Sequence, residues 1–404
     1  YTSQYTLSLH DALPICINNM AAFYLGRGKI KEAGKLFNEA LNMRQRLFKD
    51  DHSDLAVSYN NMAHYYCETG EYSKAGKMFS EALQMRRRIY ENDHHDLAMS
   101  LKNLADFYKN RGKLSKAAPL YESAIAMFRR LYGTGNPDMA GGLVDFAHYN
   151  QLKGNMAESY DLYCEGLGMY RNIFERNSIS FSERERAGFL NTFKNSFDAF
   201  NAFVFDYGKD EVIRQIYNNQ LYLKGILLSS TTKVKKRILD SGDSSLVNLF
   251  INWQKLRGKI AESYSMTKSE LNEKGMDTDS LEDAANKIEK ELALRSEDFK
   301  RKFEKKNFTC EDIRNALKAG EAAIEIVRFT SFEHESRKIS YAALIAAAGL
   351  EIPQLIVFMN GAAMESGFAV YYRKSIKYRL EDNESYKHYW KPVADKLKEL
   401  NVRK

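Results

Sequence analysis

Asn60-Asn61-Met62-Ala63 returns 42 residues later as Lys102-Asn103-Leu104-Ala105, and stands 42 residues earlier as Asn18-Asn19-Met20-Ala21. Further columns keep the same step: Tyr24, Tyr66 and Tyr108; Gly28, Gly70 and Gly112; Ala33, Ala75 and Ala117; Phe37, Phe79 and Tyr121; Ala40, Ala82 and Ala124. So many columns locked to one period across three units predict a helical solenoid, in which each unit buries its apolar stripe only by stacking on its neighbours.

Each unit reads as two antiparallel helices. In the second, a helix beginning at Asp54 carries Leu55, Tyr59, Met62, Ala63 and Tyr66 at the three-and-four spacing of a buried stripe. Glu68-Thr69-Gly70 is a turn, and a second helix over Tyr72 to Ile89 buries Ala75, Met78, Phe79, Ala82, Leu83 and Met85. A weaker fourth unit keeps Ala147, Gly154 and Tyr163 in register but places Asn150, Ser159 and Gly166 where tyrosine and alanines stood. Those departures fit either a unit near the end of the stack or simple drift.

The Asn-Asn-[Leu/Met]-Ala opening and the Gly-x-[Tyr/Ile/Leu]-x-x-Ala turn are joined by a linker, His52-Ser53-Asp54-Leu55-Ala56. It is echoed at His94-His95-Asp96-Leu97-Ala98 and Asn136-Pro137-Asp138-Met139-Ala140. On these features residues 12–175 resemble the tetratricopeptide repeat (TPR) in the 42-residue form of kinesin light chains. The resemblance implies a superhelical TPR solenoid that serves as a binding surface, with a protein or peptide ligand in its concave groove. The phase of the first helices puts Asn18, Asn60 and Lys102, and next His64 and Asp106, on that concave face. An asparagine amide both donates and accepts, which suits it to hold a peptide backbone. The runs Arg86-Arg87-Arg88 and Arg129-Arg130 fall late in second helices, where they complement the negative helix end as a solvated face.

Beyond residue 175 the period fades but helices continue. Ser182-Glu183-Arg184-Glu185 outlines a capping box opening an aromatic helix with Phe189, Phe193, Phe197, Phe200, Phe203 and Phe205. A helix is expected over Asp210 to Leu228. After a break at Ser241-Gly242-Asp243, Leu246 to Glu270 and Leu281 to Lys305 are expected to form a long, coiled-coil-like antiparallel hairpin. Residues 176–307 are thus a helical extension.

At Phe308 the composition changes. Thr309-Cys310-Glu311-Asp312 outlines a second capping box, and Ala322–Phe329, Ser340–Ala348 and Leu355–Phe358 read as strands. Phe368–Lys377 fits strand or helix, and Tyr386 to Leu400 reads as a helix burying Trp390 and Leu397. This is the opening of an α/β domain of about 80 residues. The capped helix, the strand with Glu325 and Arg328-Phe329, and the segment Ser385-Tyr386-Lys387-His388-Tyr389-Trp390-Lys391-Pro392 resemble the beginning of a CHAT domain, the caspase-like domain associated with TPRs. That resemblance implies a partial caspase-like domain over 308–404. In peptidase members a His/Cys dyad, with cysteine as nucleophile, follows beyond the corresponding point. Neither the His-Gly nor the Ser-Ala-Cys-Glu motif occurs here, so no catalytic role passes to Cys310, His334 or His388, and the chain itself is expected to be inert.

The remaining expectations come from composition. The chain has 404 residues, 44% hydrophobic and 28% charged, with 60 Lys+Arg against 53 Asp+Glu. Such a balance neither suggests wholesale disorder nor carries the basic excess of a nucleic-acid binder. Five prolines leave long helices intact. Cys16, Cys67, Cys164 and Cys310 have neither disulfide-framework nor zinc spacing, read as small buried hydrophobes, and point to a reducing, cytoplasmic setting. Tyr341–Met359 is broken by Gly349, Glu351 and Pro353, so no membrane span is expected. No glycine-rich phosphate loop or metal-ligand spacing implies a cofactor. Residues 5–15 resemble a translated sequencing-library adaptor, so residues 1–11 are read as a non-native leader and His10 and Asp11 carry no functional weight. Two functions fit: the N-terminal recognition part of a TPR-CHAT protein whose further half is a cysteine peptidase, or a complete non-enzymatic regulatory scaffold.

Overall fold

The computed structural model of the chain describes residues 9–177, 181, 183–227, 238–264, 266, 268–295, 308–333, 336–382 and 384–402. They fall into two compact units, Tyr1–Met169 and Tyr170–Lys404. In the first, the 42-residue period becomes helix pairs: α1 (Leu9–Gly26) with α2 (Ile30–Leu47), α3 (Ser53–Glu68) with α4 (Tyr72–Ile89), and α5 (His95–Asn110) with α6 (Leu114–Tyr132). A fourth pair is α7 (Pro137–Lys153) with α8 (Met156–Asn177).

The chemistry that starts and stops these helices repeats as well. Nδ1 of His52 accepts the Asp54 N–H at 3.2 Å, and His94 accepts that of Asp96 at 3.2 Å. Asn136 accepts from Met139 at 2.8 Å. Each satisfies an N–H that the first helical turn leaves without an intrahelical partner. Gly28, Gly70 and Gly112 turn the chain at φ of +73°, +76° and +67°. Side chains are strained there, which accounts for the glycine column.

Ala33, Ala63, Ala75 and Ala82 are wholly buried and let backbones approach, while Phe79 fills the space beside them. Tyr59, Tyr66 and Met78 are only half-buried and pack along the edge of this core. The fourth unit's departures have local causes. Ser159 is fully buried and donates to the Ala147 carbonyl at 2.8 Å. Asn150 is buried and donates to Phe146 O at 3.2 Å. Gly166 lies so near α7 that a Cβ would come 2.9 Å from the Ala140 carbonyl oxygen.

Successive first helices touch, α1 on α3 and α5 on α7, whereas α2, α4 and α6 each pack on the first helix that follows. The first helices therefore make the more closely spaced, inner face of the array. Arg86 corrects the expectation of a uniformly solvated basic run. It is buried, and its guanidinium donates to Ser100 Oγ and to the Asp96 carbonyl, each at 2.7 Å. Arg44 does the same to Ser58 Oγ at 2.7 Å. The face of α4 that carries Arg86 abuts α5, and burial there lowers the Arg86 pKa. Arg88 and Arg130 are exposed and pair with Asp51 and Asp93.

In the second unit the expected aromatic helix is two: α9 (Glu183–Thr192) and α10 (Lys194–Phe203). Phe193 leaves helical geometry between them at ψ 12°, and Phe205 beyond α10 is exposed. Ser182, the expected cap, lies outside the described residues. Then come α11 (Asp210–Leu227), α12 (Ser244–Ser263), α13 (Lys268–Glu273) and α14 (Thr278–Arg295). The α12/α14 hairpin is present and buries Phe250, Trp253 and Leu292. Yet α12 ends seven residues before the expected Glu270, because its apolar stripe stops at Ile260 and Tyr264 is solvent-exposed. Residues 296–305 of the expected second arm lie outside the described residues. Arg186 of α9 and Glu289 of α14 form a buried ion pair at 3.0 Å.

Thr309 and Asp312 make the expected capping box on α15 (Cys310–Ala316). The strands β1 (Ala322–Glu333), β2 (Ser336–Ala347) and β3 (Gln354–Phe358) form one antiparallel sheet in the order β1-β2-β3. Residues 342–347 of β2 are all buried, as befits a central strand covered on both faces. Then follow α16 (Gly361–Glu365), α17 (Gly367–Tyr378), a π-helical turn over Tyr386–Trp390 and α18 (Lys391–Glu399). Met364 and Val393 cover one sheet face, while α10 and α11 pack on β1. The stretch 368–377 is therefore helix. Trp390, expected inside, is 43% exposed. The π turn adds a residue and shifts the facing position, so Tyr389 points inward and donates to Met364 O at 2.6 Å. The cysteines are also corrected: Cys310 is buried, Cys67 and Cys164 are half-buried, and Cys16 is exposed on the outside of the first unit.

Candidate functional site: the first-helix face

Lys102, Asp106 and Lys109 stand on α5 at spacings that place them on one side of the helix. Lys102 Nζ lies 2.9 Å from Asp106 and 2.6 Å from Asp145, which projects from α7. Lys109 Nζ lies 3.4 Å from Asp106 and 3.8 Å from Asp145. Tyr121, from α6, donates its hydroxyl to Asp106. Two ammonium groups thus face two carboxylates in a neutral, largely buried network that ties α5 to α7.

The electrostatics follow from that crowding. Burial alone would raise the Asp106 pKa, but Lys102, Lys109 and the Tyr121 hydrogen bond outweigh it and hold the carboxyl below the usual range. Burial alone would lower the Lys102 pKa, but Asp145 and Asp106 raise it instead. The Tyr121 hydroxyl is pushed up, by burial first and by Asp106 second, so it acts as a hydrogen-bond donor.

The five residues expected on this face occupy three environments. Asn18 and Asn60 are buried between helices: Asn18 accepts from Asn61 at 2.9 Å, and Asn60 donates to Ser100 at 3.4 Å. Lys102 and Asp106 are joined in the ion network. His64 is solvent-exposed on α3, with its ring edge-on to Phe79 at 5.0 Å. Its pKa is nonetheless lowered, chiefly by desolvation, with Asp106 opposing and Lys102 reinforcing. Lys109, Asp145 and Tyr121 escaped the sequence reading, although Asp145 follows Asn61 and Asn103 at the repeat step and Lys109 replaces Cys67 in its column.

Among the described residues no group of three or more His, Cys, Asp or Glu could hold a metal ion, and no helix is long and apolar enough to cross a membrane.

Residues 14–87 and 54–130 match the tetratricopeptide repeat family, so this region of the chain is a TPR array. Among solved structures the chain is similar to BtubC (BKLC) from P. vanneervenii, at 21% identity and a TM-score of 0.43, over 53% of this chain and 82% of that one. It is also similar to nearly identical TPR-like repeats from Podosopora anserina, assigned to a kinesin light chain, at 16% identity and a TM-score of 0.39, over 54% of this chain and 99% of that one. No curated protein matches the chain.

Proposed function

We propose that the chain is a non-enzymatic protein-interaction scaffold whose first-helix face takes a protein or peptide segment. One observation carries the reading: His64 is solvent-exposed on that face, near an ion network of Lys102, Asp106 and Asp145 that is already locked in place. Asn103, half-buried beside Lys102, offers an amide that donates and accepts on the same face. The neutral ion network adds no net charge, so it favours neither an acidic nor a basic ligand, and it fixes α5 against α7 before any partner arrives. That reduces the ordering cost of binding.

Fluorescence anisotropy against an array of extended peptides tests this. His64→Ala and Asn103→Ala are expected to weaken the selected peptide by about tenfold each, about 1.4 kcal/mol, with unchanged helicity. Asn18, Asn60 and Lys102 are unsuited to that test, since their amides and ammonium also hold helices together. Equal affinity of both variants and the unaltered chain would reject this placement of the ligand.

A finer reading concerns residues 308–404 as the beginning of a CHAT-type domain. The Thr309 capping box, the strand positions and the Tyr386–Trp390 segment support it, and the scaffold role does not depend on it. Cys310 is buried and its thiol pKa is raised by that burial, the opposite of an activated nucleophile. Genomic sequence downstream of Lys404 tests the reading: an open frame with a strand-end histidine and a following cysteine supports it, and a stop codon at that point counts against it.

A further inference from the structure

In the second and third repeats a cleft opens between the linker that enters the first helix and the second helix of the same repeat. The cleft in the second repeat, of about 600 Å³, has Leu55 and Met85 as its apolar floor. The one in the third repeat, of about 540 Å³, has Leu97 and Met127 in the same columns. An acid of the linker brackets each cleft by pairing with an arginine of the second helix. Arg88 donates to Asp51 at 2.6 and 2.9 Å, and Arg130 donates to Asp93 at 2.5 and 2.9 Å. In the fourth repeat the acid's column holds Gly135 and the arginine's holds Asn172, so that bracket cannot form there.

The two clefts share a floor and differ in charge. Lys49 and Asp50 on the first rim offset one another, and Asp51 is matched by Arg88. In the second the same two columns hold Glu91 and Asn92, and Asp93 is matched by Arg130, which leaves the exposed Glu91 carboxylate in excess. The Asn92 amide beside it both donates and accepts, so it can hold the backbone of an extended chain. Methionine in both floors adapts to the shape of an entering side chain. Because α4 packs on both α3 and α5, two helix contacts of about 8–10 Å each keep the clefts within about 20 Å of one another.

We propose that the two clefts together dock an extended segment of a partner protein, which sets one large apolar side chain into each cleft and a lysine or arginine against Glu91. The site is formed by linkers and second helices of two internal repeats. It is independent of any ligand on the first-helix face.

The probes are capped, fluorescein-labelled peptides in which two phenylalanines, two, four or six positions apart, are followed by a lysine. Extended, they set the rings about 7, 13 or 20 Å apart on one face. In anisotropy titrations with the full chain, one separation is expected to bind best, and at least about tenfold more tightly than the same peptide with either phenylalanine replaced by threonine. Exchanging its lysine for glutamate is expected to weaken it about fivefold, and a Glu91→Lys chain to reverse that preference. In a chain carrying ¹³C-methyl methionine the peptide is expected to shift Met85 and Met127 and to leave Met364 of the second unit in place. A ligand on the first-helix face has no contact with those two floors, so this readout separates the two sites. Any of four results overturns the proposal: no binding at millimolar concentration, equal binding by the single-phenylalanine peptides, a lysine preference kept by Glu91→Lys, or binding that leaves Met85 and Met127 unmoved.

Discussion

Two glycines one turn-half apart on α8, Gly166 and Gly168, give opposite forecasts for the same substitution. Alanine in a helix interior is favoured over glycine by about 1 kcal/mol, mainly through the entropy of the unfolded chain. At Gly168 nothing lies within 4 Å of the added Cβ, so Gly168→Ala should realise that gain. At Gly166 the Cβ would meet the Ala140 carbonyl oxygen at 2.9 Å and Val144 Cγ2 at 3.1 Å. The first is backbone and cannot rotate away, so α7 and α8 must separate, at an overpacking cost of about 1–3 kcal/mol. Net, Gly166→Ala is expected to destabilise by up to about 2 kcal/mol, placing the two variants about 1–3 kcal/mol apart. Urea denaturation by circular dichroism measures the difference, and hydrogen exchange locates it: protection should fall in α7 and α8 for Gly166→Ala and hold or rise for Gly168→Ala. If both substitutions stabilise the protein, the close approach of α7 to α8 is wrong and Gly166 is mere drift from the alanine column.

Removing one member of the inner-face network should cost more. Asp106→Asn leaves Lys102 and Lys109 sharing Asp145 and is expected to destabilise the first unit by about 3 kcal/mol in urea denaturation. Because the folded-state Asp106 pKa lies below its unfolded value of about 3.9, its contribution is complete above that value and is lost as pH falls through the folded pKa. The acid limb of a stability profile should therefore be shallower in Asp106→Asn. His64 should titrate by NMR below about 6.5, and lower again in Asp106→Asn, since the carboxylate opposes the shift. With the folded pKa depressed, the unfolded chain takes up the proton first, so His64 makes the fold less stable as pH drops through that range. In the second unit, Glu289→Leu removes the carboxylate that faces the buried Arg186 guanidinium, which keeps its bond to the Phe181 carbonyl, and should cost about 3 kcal/mol, whereas Arg186→Met with Glu289→Leu should recover most of it. A double variant no more stable than the single one would show that the pair's geometry, not its charge balance, holds α9 to α14.

Much of the first unit was legible in the sequence because its units repeat. A column of Ala63, Ala75 or Gly70 states a packing or backbone requirement several times over, and α4 falls on the expected Tyr72–Ile89. What the period could not convey was where charge is buried. Arg86 sits in a basic run with exposed neighbours, and only the placement of Ser100 and the Asp96 carbonyl reveals why one of three arginines turns inward. Lys109 and Asp145 likewise become a network only once α5 lies against α7. Outside the repeat, single-copy signals did less well. The Thr309 capping box is local and was read correctly. The aromatic helix broke at Phe193, and Trp390 turned outward, because a helix break and a π turn each depend on packing that a stripe of residues does not encode. The strands were placed well, but their antiparallel order required the pairing of Ile324 with Ile345 and of Tyr341 with Phe358.

The recurrence of the buried arginine, and of an aromatic ring seated on a glycine of the same helix, has a further consequence for how this chain can change length. Gly34 faces Tyr65 and Gly76 faces Phe107, while Arg44 reaches Ser58 and Arg86 reaches Ser100, so any such second helix can be followed by any such first helix. Excision of residues 50–91 would bring Gly34 to Phe107 and Arg44 to Ser100 with every contact type preserved. A cut of another length whose junction falls inside a helix would rotate the residues beyond it by about 100° for each residue lost or gained, out of their seats. The array is thus written in a fixed word length, free to gain or lose whole words and intolerant of fractions.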